Sequence, residues 1–139
     1  MTATVAASNS LGPWPIRELT EPDDIREAAE DAQTWGFLRP IEPHEITLGS
    51  WFRMGRGVVW WYEPPLEEVP GAAFLHMAVA PRVRGHWPIR RWHIAAQVIA
   101  ELMGASYLLA QVESPQVKAY LVRLGWREDG PRVYLVLGG

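Results

Sequence analysis

The chain has 139 residues, a net charge of −3 at pH 7 and no cysteine. A chain of this length is most simply one domain with its own core, and without cysteine it forms no disulfide, thiolate nucleophile or cysteine-bound metal site. The negative charge argues against nucleic acid as a partner, and no apolar run reaches the roughly 20 residues that a membrane helix needs. We therefore expect a cytoplasmic protein, with a flexible arm at residues 1–12 ahead of a single domain at 13–139.

The first elements are a strand and a helix. Trp14–Leu19 alternates in polarity, which predicts a strand. The helix after it has Thr20 as its predicted N-cap and Gly36 as its stop. Its inner face consists of residues at helical spacing, namely Ile25, Ala28, Ala29 and Ala32. The segment Glu42–Trp51 predicts a second short helix.

The middle of the chain predicts a hairpin. Gly57–Glu63 is rich in β-branched and aromatic residues, and Gly71–Ala80 is apolar almost throughout, as in a strand buried on both faces. A proline-rich turn separates the two segments, so we expect them to pair as antiparallel strands.

The next segments predict a helix and a strand. From Pro88 to Gly104 apolar residues recur at helical spacing. The expected inner face of this helix is Ile89, Trp92, Ala96, Ile99 and Met103. Ser106–Val112 then predicts a buried strand, and a strand, helix and strand over 71–112 imply a parallel crossover.

The last segments are a helix and a strand. Ser114 is the predicted N-cap, Pro115 the first helical residue and Gly125 the stop, and Arg132–Leu137 is the final strand. The order is thus β-α-α-β-β-α-β-α-β. It predicts an α/β fold, a mixed sheet with helices on both faces.

Two phrases of the sequence resemble the Gcn5-related N-acetyltransferase (GNAT) family. Met77–Gly85 reads MAVAPRVRG, similar to the Val-x-Pro-x-x-Arg-Gly run of that family, and Val112–Glu128 contains Leu-Gly-Trp where the family has Leu-Gly-Phe. The resemblance covers about residues 14–137. It implies a GNAT-like acyl-CoA N-acyltransferase fold and, if the protein is active, acetyl-CoA as cofactor and a small amine as acceptor.

The resemblance also places the cofactor. It implies that Ala78 and Val79 lie along the pantetheine arm. It further implies that Arg84, Gly85 and His86 hold the pyrophosphate, with backbone N–H groups at the start of the following helix as donors.

Three positions of the turn depart from the family pattern. Trp87 and Ile89 stand where the family has small residues, which let the backbone approach phosphate oxygens closely. Pro88 removes one N–H donor. The neighbouring arginines compensate in part, because guanidinium groups bind phosphate well.

The candidate residues for acid–base chemistry are few. Leu121 stands where many GNAT enzymes have the tyrosine that protonates the leaving thiolate, and the adjacent Tyr120 is turned by about 100° around the helix. His76 and Glu113 are the candidate bases for the acceptor amine. Structural roles are open to both, as a hydrogen-bonded core histidine and as an acid at a helix amino end. The histidine spacing fits no metal pair, so we assign no metal.

These departures favour a non-catalytic binding or assembly protein, a pseudoenzyme, over the alternative of an active N-acetyltransferase. Trp87, Arg90 and Arg91 would then form an interface with a protein partner. A faint similarity to GNAT-like virion proteins of short-tailed phages, in WPIRELTEPDD and the terminal LVLGG, extends this hypothesis to a phage protein in the host cytoplasm or the virion. Arginines beside aromatic rings also suit single-stranded nucleic acid, which the net charge opposes.

The eight tryptophans admit two interpretations. Tryptophan is enriched at protein interfaces, and it also fills the core of small domains because its ring buries a large apolar area. The strand-like runs that hold several of them favour the core.

Overall fold

A computed structural model describes residues 14–36, 44, 48–65, 67–112 and 114–138. The predicted arm at residues 1–12 and the candidate base Glu113 lie outside this described part. Two compact units share the chain: one comprises residues 1–61 and 77–89, and the other residues 62–76 and 90–139. Among the described residues, no helix is both long enough and apolar enough to cross a membrane.

The secondary structure is a seven-stranded mixed sheet with three helices. The sheet order is β1-β2-β3-β4-β5-β7-β6, with β4 and β5 parallel. The predicted α/β mixed sheet and its parallel crossover are therefore confirmed. In chain order the elements are β1 (Ile16–Leu19), α1 (Pro22–Thr34), β2 (Ser50–Met54), β3 (Val58–Tyr62), β4 (Ala72–Val79), a 3₁₀ turn (Pro81–Val83), α2 (Ile89–Leu102), β5 (Tyr107–Gln111), α3 (Pro115–Arg123), β6 (Arg127–Asp129) and β7 (Arg132–Val136).

Two strands and one cap differ from the sequence predictions. Ser50 and Trp51, the end of the predicted second helix, belong to β2, which pairs antiparallel with β1; most of the rest of that segment lies outside the described residues. The strand β6 pairs antiparallel with β7. Its residues are all charged, so no apolar pattern in the sequence predicts it. The N-cap of α1 is Glu21, one residue later than the predicted Thr20.

The first unit is held together by small residues and stacked indoles. Ala28, Ala29 and Ala32 of α1 are buried, and Ile25 packs beside them, so the predicted inner face is confirmed. Alanine side chains let a helix lie close to large rings. The stacked pair is Trp51 and Trp61, with ring centroids 5.3 Å apart.

Five of the eight tryptophans are buried, which supports the core interpretation. They are Trp51, Trp60, Trp61, Trp92 and Trp126. Trp61 also donates from Nε1 to the Leu48 carbonyl at 2.9 Å, because a buried indole N–H needs an acceptor.

The second unit packs α2 through Trp92, Ala96 and Ala100. The buried Tyr62 hydroxyl donates to the Ala96 carbonyl at 2.8 Å. Met103 was predicted on this inner face, but it is 46% exposed, so that prediction is wrong. The physical reason is that α2 ends at Leu102 and the chain turns at Gly104, whose φ is +86°.

A buried histidine also belongs to this packing. The Trp126 indole donates from Nε1 to His93 Nε2 at 2.7 Å, so Nε2 of the neutral ring is an acceptor and carries no proton. Burial lowers the pKa of His93 below its ordinary value of 6.5, because desolvation disfavours the charged ring.

This histidine makes stability depend on pH. In the unfolded chain His93 titrates at its ordinary pKa of 6.5, above the lowered folded-state pKa, so the unfolded state takes up the proton first. The stabilisation is complete above pH 6.5 and is lost as the pH falls through the folded-state pKa. As the pH is lowered from about 8 to about 5, the free energy of unfolding should fall less steeply for His93→Gln than for the wild type. Urea titrations at each pH give these free energies.

His86→Gln is the matched control, since it removes an exposed histidine from the same chain. It should keep the wild-type slope. An equal slope in the wild type and in His93→Gln would show that His93 does not carry the effect.

Candidate functional site

The carboxyl end of β4 leads into the turn that the resemblance assigns to the cofactor. The β4–β5 pairs run from Ala72–Tyr107 to Leu75–Ala110, and β4 continues to Val79. Ala78 is buried and Val79 is half-buried there. Gly85 has a φ of +91°, a left-handed conformation that favours glycine.

The N–H groups of this turn are used largely inside the turn. Val83 donates to the Ala80 carbonyl at 3.0 Å, Arg84 to the Pro81 carbonyl at 3.4 Å, and His86 to the Val83 carbonyl at 3.1 Å. The backbone N–H of Gly85 makes no hydrogen bond within the described part of the chain. The turn therefore offers fewer donors to a phosphate than an open glycine-rich loop would.

The Arg84 guanidinium also binds backbone atoms. Its Nε donates to the Val79 carbonyl at 3.1 Å, and its Nη2 donates to the Trp35 carbonyl at 2.7 Å. Trp35 is the C-cap of α1. Arg84 thus fixes the turn against the end of β4 and the end of α1, a positioning role that the sequence did not reveal.

The residues predicted to form an interface differ in exposure. Arg90 is exposed, Arg91 and Trp87 are half-buried, and Nε of Arg91 is shielded from solvent. The Trp87 carbonyl accepts from the Ile89 N–H at 2.8 Å, which closes the turn onto the start of α2. His86, a predicted pyrophosphate ligand, is exposed.

A second group of chemically active side chains lies in the other unit. His76, predicted as a base, is 8% exposed, and its Nε2 lies 2.5 Å from Oε2 of Glu63. Because an ionised carboxylate can only accept, the imidazole carries its proton on Nε2. The Phe74 ring stacks on His76 with centroids 4.9 Å apart, and the Arg132 guanidinium lies 5.4 Å from the centre of the Phe74 ring.

The accessible end of this pair is the carboxylate. Nδ1 of His76 is shielded from solvent, whereas the Glu63 side chain is 18% exposed. The sequence alone does not single out Glu63, although this residue ends a predicted strand. The signal lies in the hairpin register: the Glu63 N–H donates to the Phe74 carbonyl at 2.9 Å, which makes Glu63 a diagonal cross-strand neighbour of His76.

The position of the family's general acid is occupied by a core residue. Leu121 is 4% exposed. The guanidinium of Arg123 lies over the ring of the neighbouring Tyr120, 5.5 Å from the ring centre. Within the described residues no group of three histidine, aspartate or glutamate side chains could hold a metal ion.

A groove of about 1080 Å³ opens in the first unit beside the turn. Its buried arginine, Arg53, donates to Asp31 at 2.8 Å. Four arginines face only two carboxylates on the lining, so the groove is net positive, which does not suit a polyamine. The lining residues are Trp14, Pro15, Arg17, Glu27, Asp31, Trp35, Arg53, Gly55, Arg56, Gly57, Arg82 and Val83.

Comparison with known proteins decides the fold. No family model and no curated protein matches the sequence. Among solved structures, a protein of Desulfovibrio desulfuricans assigned to the GNAT acetyltransferases superposes with a TM-score of 0.69 at 15% identity, covering 90% of this chain and 99% of its own. The chain has the GNAT fold. The fold implied by the MAVAPRVRG and Leu-Gly-Trp phrases is thereby confirmed.

Two further GNAT-fold structures bear on ligands. A Bacillus subtilis acetyltransferase in complex with CoA matches with a TM-score of 0.69 at 13% identity, over 90% of this chain and 99% of its own. A chimeric spermidine N-acetyltransferase from Vibrio cholerae matches with a TM-score of 0.67 at 13% identity, over 90% and 96%. None of these three structures is of a phage protein, so they do not support the virion hypothesis.

Proposed function

We propose that this GNAT-fold chain is an acyl-CoA-dependent N-acyltransferase that acts on an amine. The observation that carries the proposal is the hydrogen-bonded pair formed by Glu63 and His76. His76 lies in β4, two residues before Ala78, and β4 leads into the turn. A largely buried imidazole–carboxylate pair is costly to desolvate, and enzymes use such pairs to orient a carboxylate that accepts a proton. The pair therefore favours the enzyme over the assembly protein that the turn alone suggested.

The turn fits a CoA pyrophosphate with fewer backbone donors than the GNAT pattern provides. The groups that would hold it are the Gly85 N–H, the exposed His86 side chain and the amino end of α2. Ala78 and Val79 would lie along the pantetheine arm. The Bacillus subtilis relative that carries CoA supports this cofactor.

The chemistry requires one proton acceptor. Bound acyl-CoA would supply the electrophilic thioester carbon. Glu63 would accept the proton that the acceptor amine loses as its nitrogen bonds to that carbon. His76 orients the Glu63 carboxylate through the hydrogen bond from its Nε2–H. Because thiols have a pKa of about 8.5, the thiolate can leave without a general acid. A leucine at position 121 is therefore compatible with activity.

The proposed acceptor is a small primary amine. The spermidine N-acetyltransferase among the similar structures supports an amine in general. The positive lining of the groove in the first unit argues against a polyamine there.

The cofactor site can be tested by calorimetric titration with acetyl-CoA. We expect the wild type to bind and Arg84→Ala to bind about tenfold more weakly, a loss of about 1.4 kcal/mol. The physical reason is that Arg84 fixes the turn through the Val79 and Trp35 carbonyls, so its loss leaves the binding groups unpositioned.

Arg26→Ala is the matched control, because it removes the same charge from an exposed site on α1 where Arg26 pairs with Asp23. It should bind acetyl-CoA as the wild type does. No heat of binding for the wild type at about millimolar acetyl-CoA would refute the proposed function. Equal affinity in all three proteins would refute only the placement at this turn.

A further inference from the structure

The outer face of α2 carries an apolar stripe. Ile94, Val98 and Leu102 are 61%, 49% and 82% exposed, and their four-residue spacing places them on one side of the helix. The opposite side buries Trp92 and Ala96 in the second unit. A contiguous exposed apolar stripe of this kind commonly marks an interaction surface.

Opposite charges lie at the two ends of this stripe. Arg90, in the first turn of α2, and Glu101, in the last, are both exposed. Eleven residues span about three helical turns, so the two side chains lie on the same face of α2 to within about 20°. Neither forms an ion pair within the described residues.

This pattern is complementary to itself when reversed. We infer that the stripe Arg90–Ile94–Val98–Leu102 is the docking surface for a second copy of this chain, with the two α2 helices antiparallel about a two-fold axis that passes between Ile94 and Val98 on the outer face. In that arrangement Ile94 meets the partner's Val98, and Arg90 meets the partner's Glu101. An isologous interface uses one patch twice, so it needs an apolar centre with opposite charges at its two ends.

Other occupants fit this pattern less well. A membrane surface or a nucleic acid would favour a stripe bordered by positive charge alone, whereas here Glu101 balances Arg90. A single helix face buries less than the roughly 800 Å² per partner of a standard interface. We therefore expect a weak dimer, with a dissociation constant of about a micromolar or above.

Sedimentation equilibrium of the full chain tests the inference. The wild type should show a monomer–dimer equilibrium over about 1 to 300 μM, and Leu102→Glu should raise the dissociation constant at least tenfold. Val117→Glu is the control, because it places the same charge at an exposed valine of a different helix, α3. It should leave the equilibrium unchanged.

A charge-reversal cycle tests the register. Arg90→Glu and Glu101→Arg should each weaken the dimer several-fold, and the double variant should restore it. Far-UV circular dichroism checks that each variant is folded, and Ile94→Gln replaces Leu102→Glu should the latter unfold. A wild-type chain that stays monomeric, or a dimer unaffected by Leu102→Glu and Ile94→Gln, overturns the proposal. A double variant weaker than both single variants overturns the antiparallel arrangement. The proposed acyl transfer is independent of all these outcomes.

Discussion

Replacing Glu63 by glutamine should lower kcat for the proposed acyl transfer by about a hundredfold or more, while the affinity for the proposed cofactor acetyl-CoA stays within about twofold. Glutamine has the shape of glutamate and its oxygen can still accept from His76 Nε2, so the pair keeps its geometry. It cannot take up the amine proton. The loss therefore falls on the chemical step and not on binding. The measurement is release of free thiol at saturating acetyl-CoA, with acceptors found by screening small primary amines.

Two further variants sharpen this experiment. Glu67→Gln removes an exposed carboxylate from the segment between β3 and β4 and should keep wild-type kcat. His76→Gln should lower kcat less than Glu63→Gln does, because it removes the group that directs the carboxylate and leaves the carboxylate itself. A Glu63→Gln protein with wild-type kcat would show that another group takes the proton.

The largest stability effect is expected for Trp61→Ala, which should lower the free energy of unfolding by about 3 to 5 kcal/mol. The Trp61 side chain is fully buried and stacks on Trp51, so its removal leaves a cavity and also an unpaired Leu48 carbonyl. A domain of this size has about 5 to 15 kcal/mol in total, so the variant should be close to unfolding. Urea titration followed by far-UV circular dichroism gives the value.

The comparison variants separate cavity from hydrogen bond. Trp61→Phe keeps most of the ring volume and loses the Nε1 donor, so it should cost much less than Trp61→Ala. Trp87→Ala truncates a half-buried indole in the turn and should cost about 1 kcal/mol or less. If Trp61→Ala cost no more than Trp87→Ala, the stacked pair would not be the centre of the first unit.

Local patterns in the sequence were sufficient for most of the fold. Local preferences of neighbouring residues, which a sequence displays directly, predicted the apolar spacing of α1, the start of α3 at Ser114 and Pro115, and the β-branched and aromatic run at Val58–Tyr62. The strand β2 was missed because its preceding residues resemble a helix and its strand state is fixed by pairing with β1. Such pairing is tertiary and leaves no local signal.

The candidate site was only half predictable for the same reason. His76 stood out as a polar residue in an apolar strand, but its contact with Glu63 depends on the hairpin register. The Arg84 contact with the Trp35 carbonyl joins residues 49 apart in the chain. The sequence could suggest that Arg84 meets phosphate; it could not show that two of its nitrogens already bind carbonyls.

The self-bonded turn before α2 has a consequence for how ionic strength acts on the protein. A phosphate gripped by several converging N–H groups is held at short range and is screened little by salt. Here the N–H groups of Val83, Arg84 and His86 donate to carbonyls of the turn, so the few remaining donors are supplemented by the exposed positive charge of Arg82 and Arg84. Exposed charges act over a Debye length of about 10 Å at 0.1 M salt and about 3 Å at 1 M. The proposed binding of acyl-CoA should therefore weaken as salt is added.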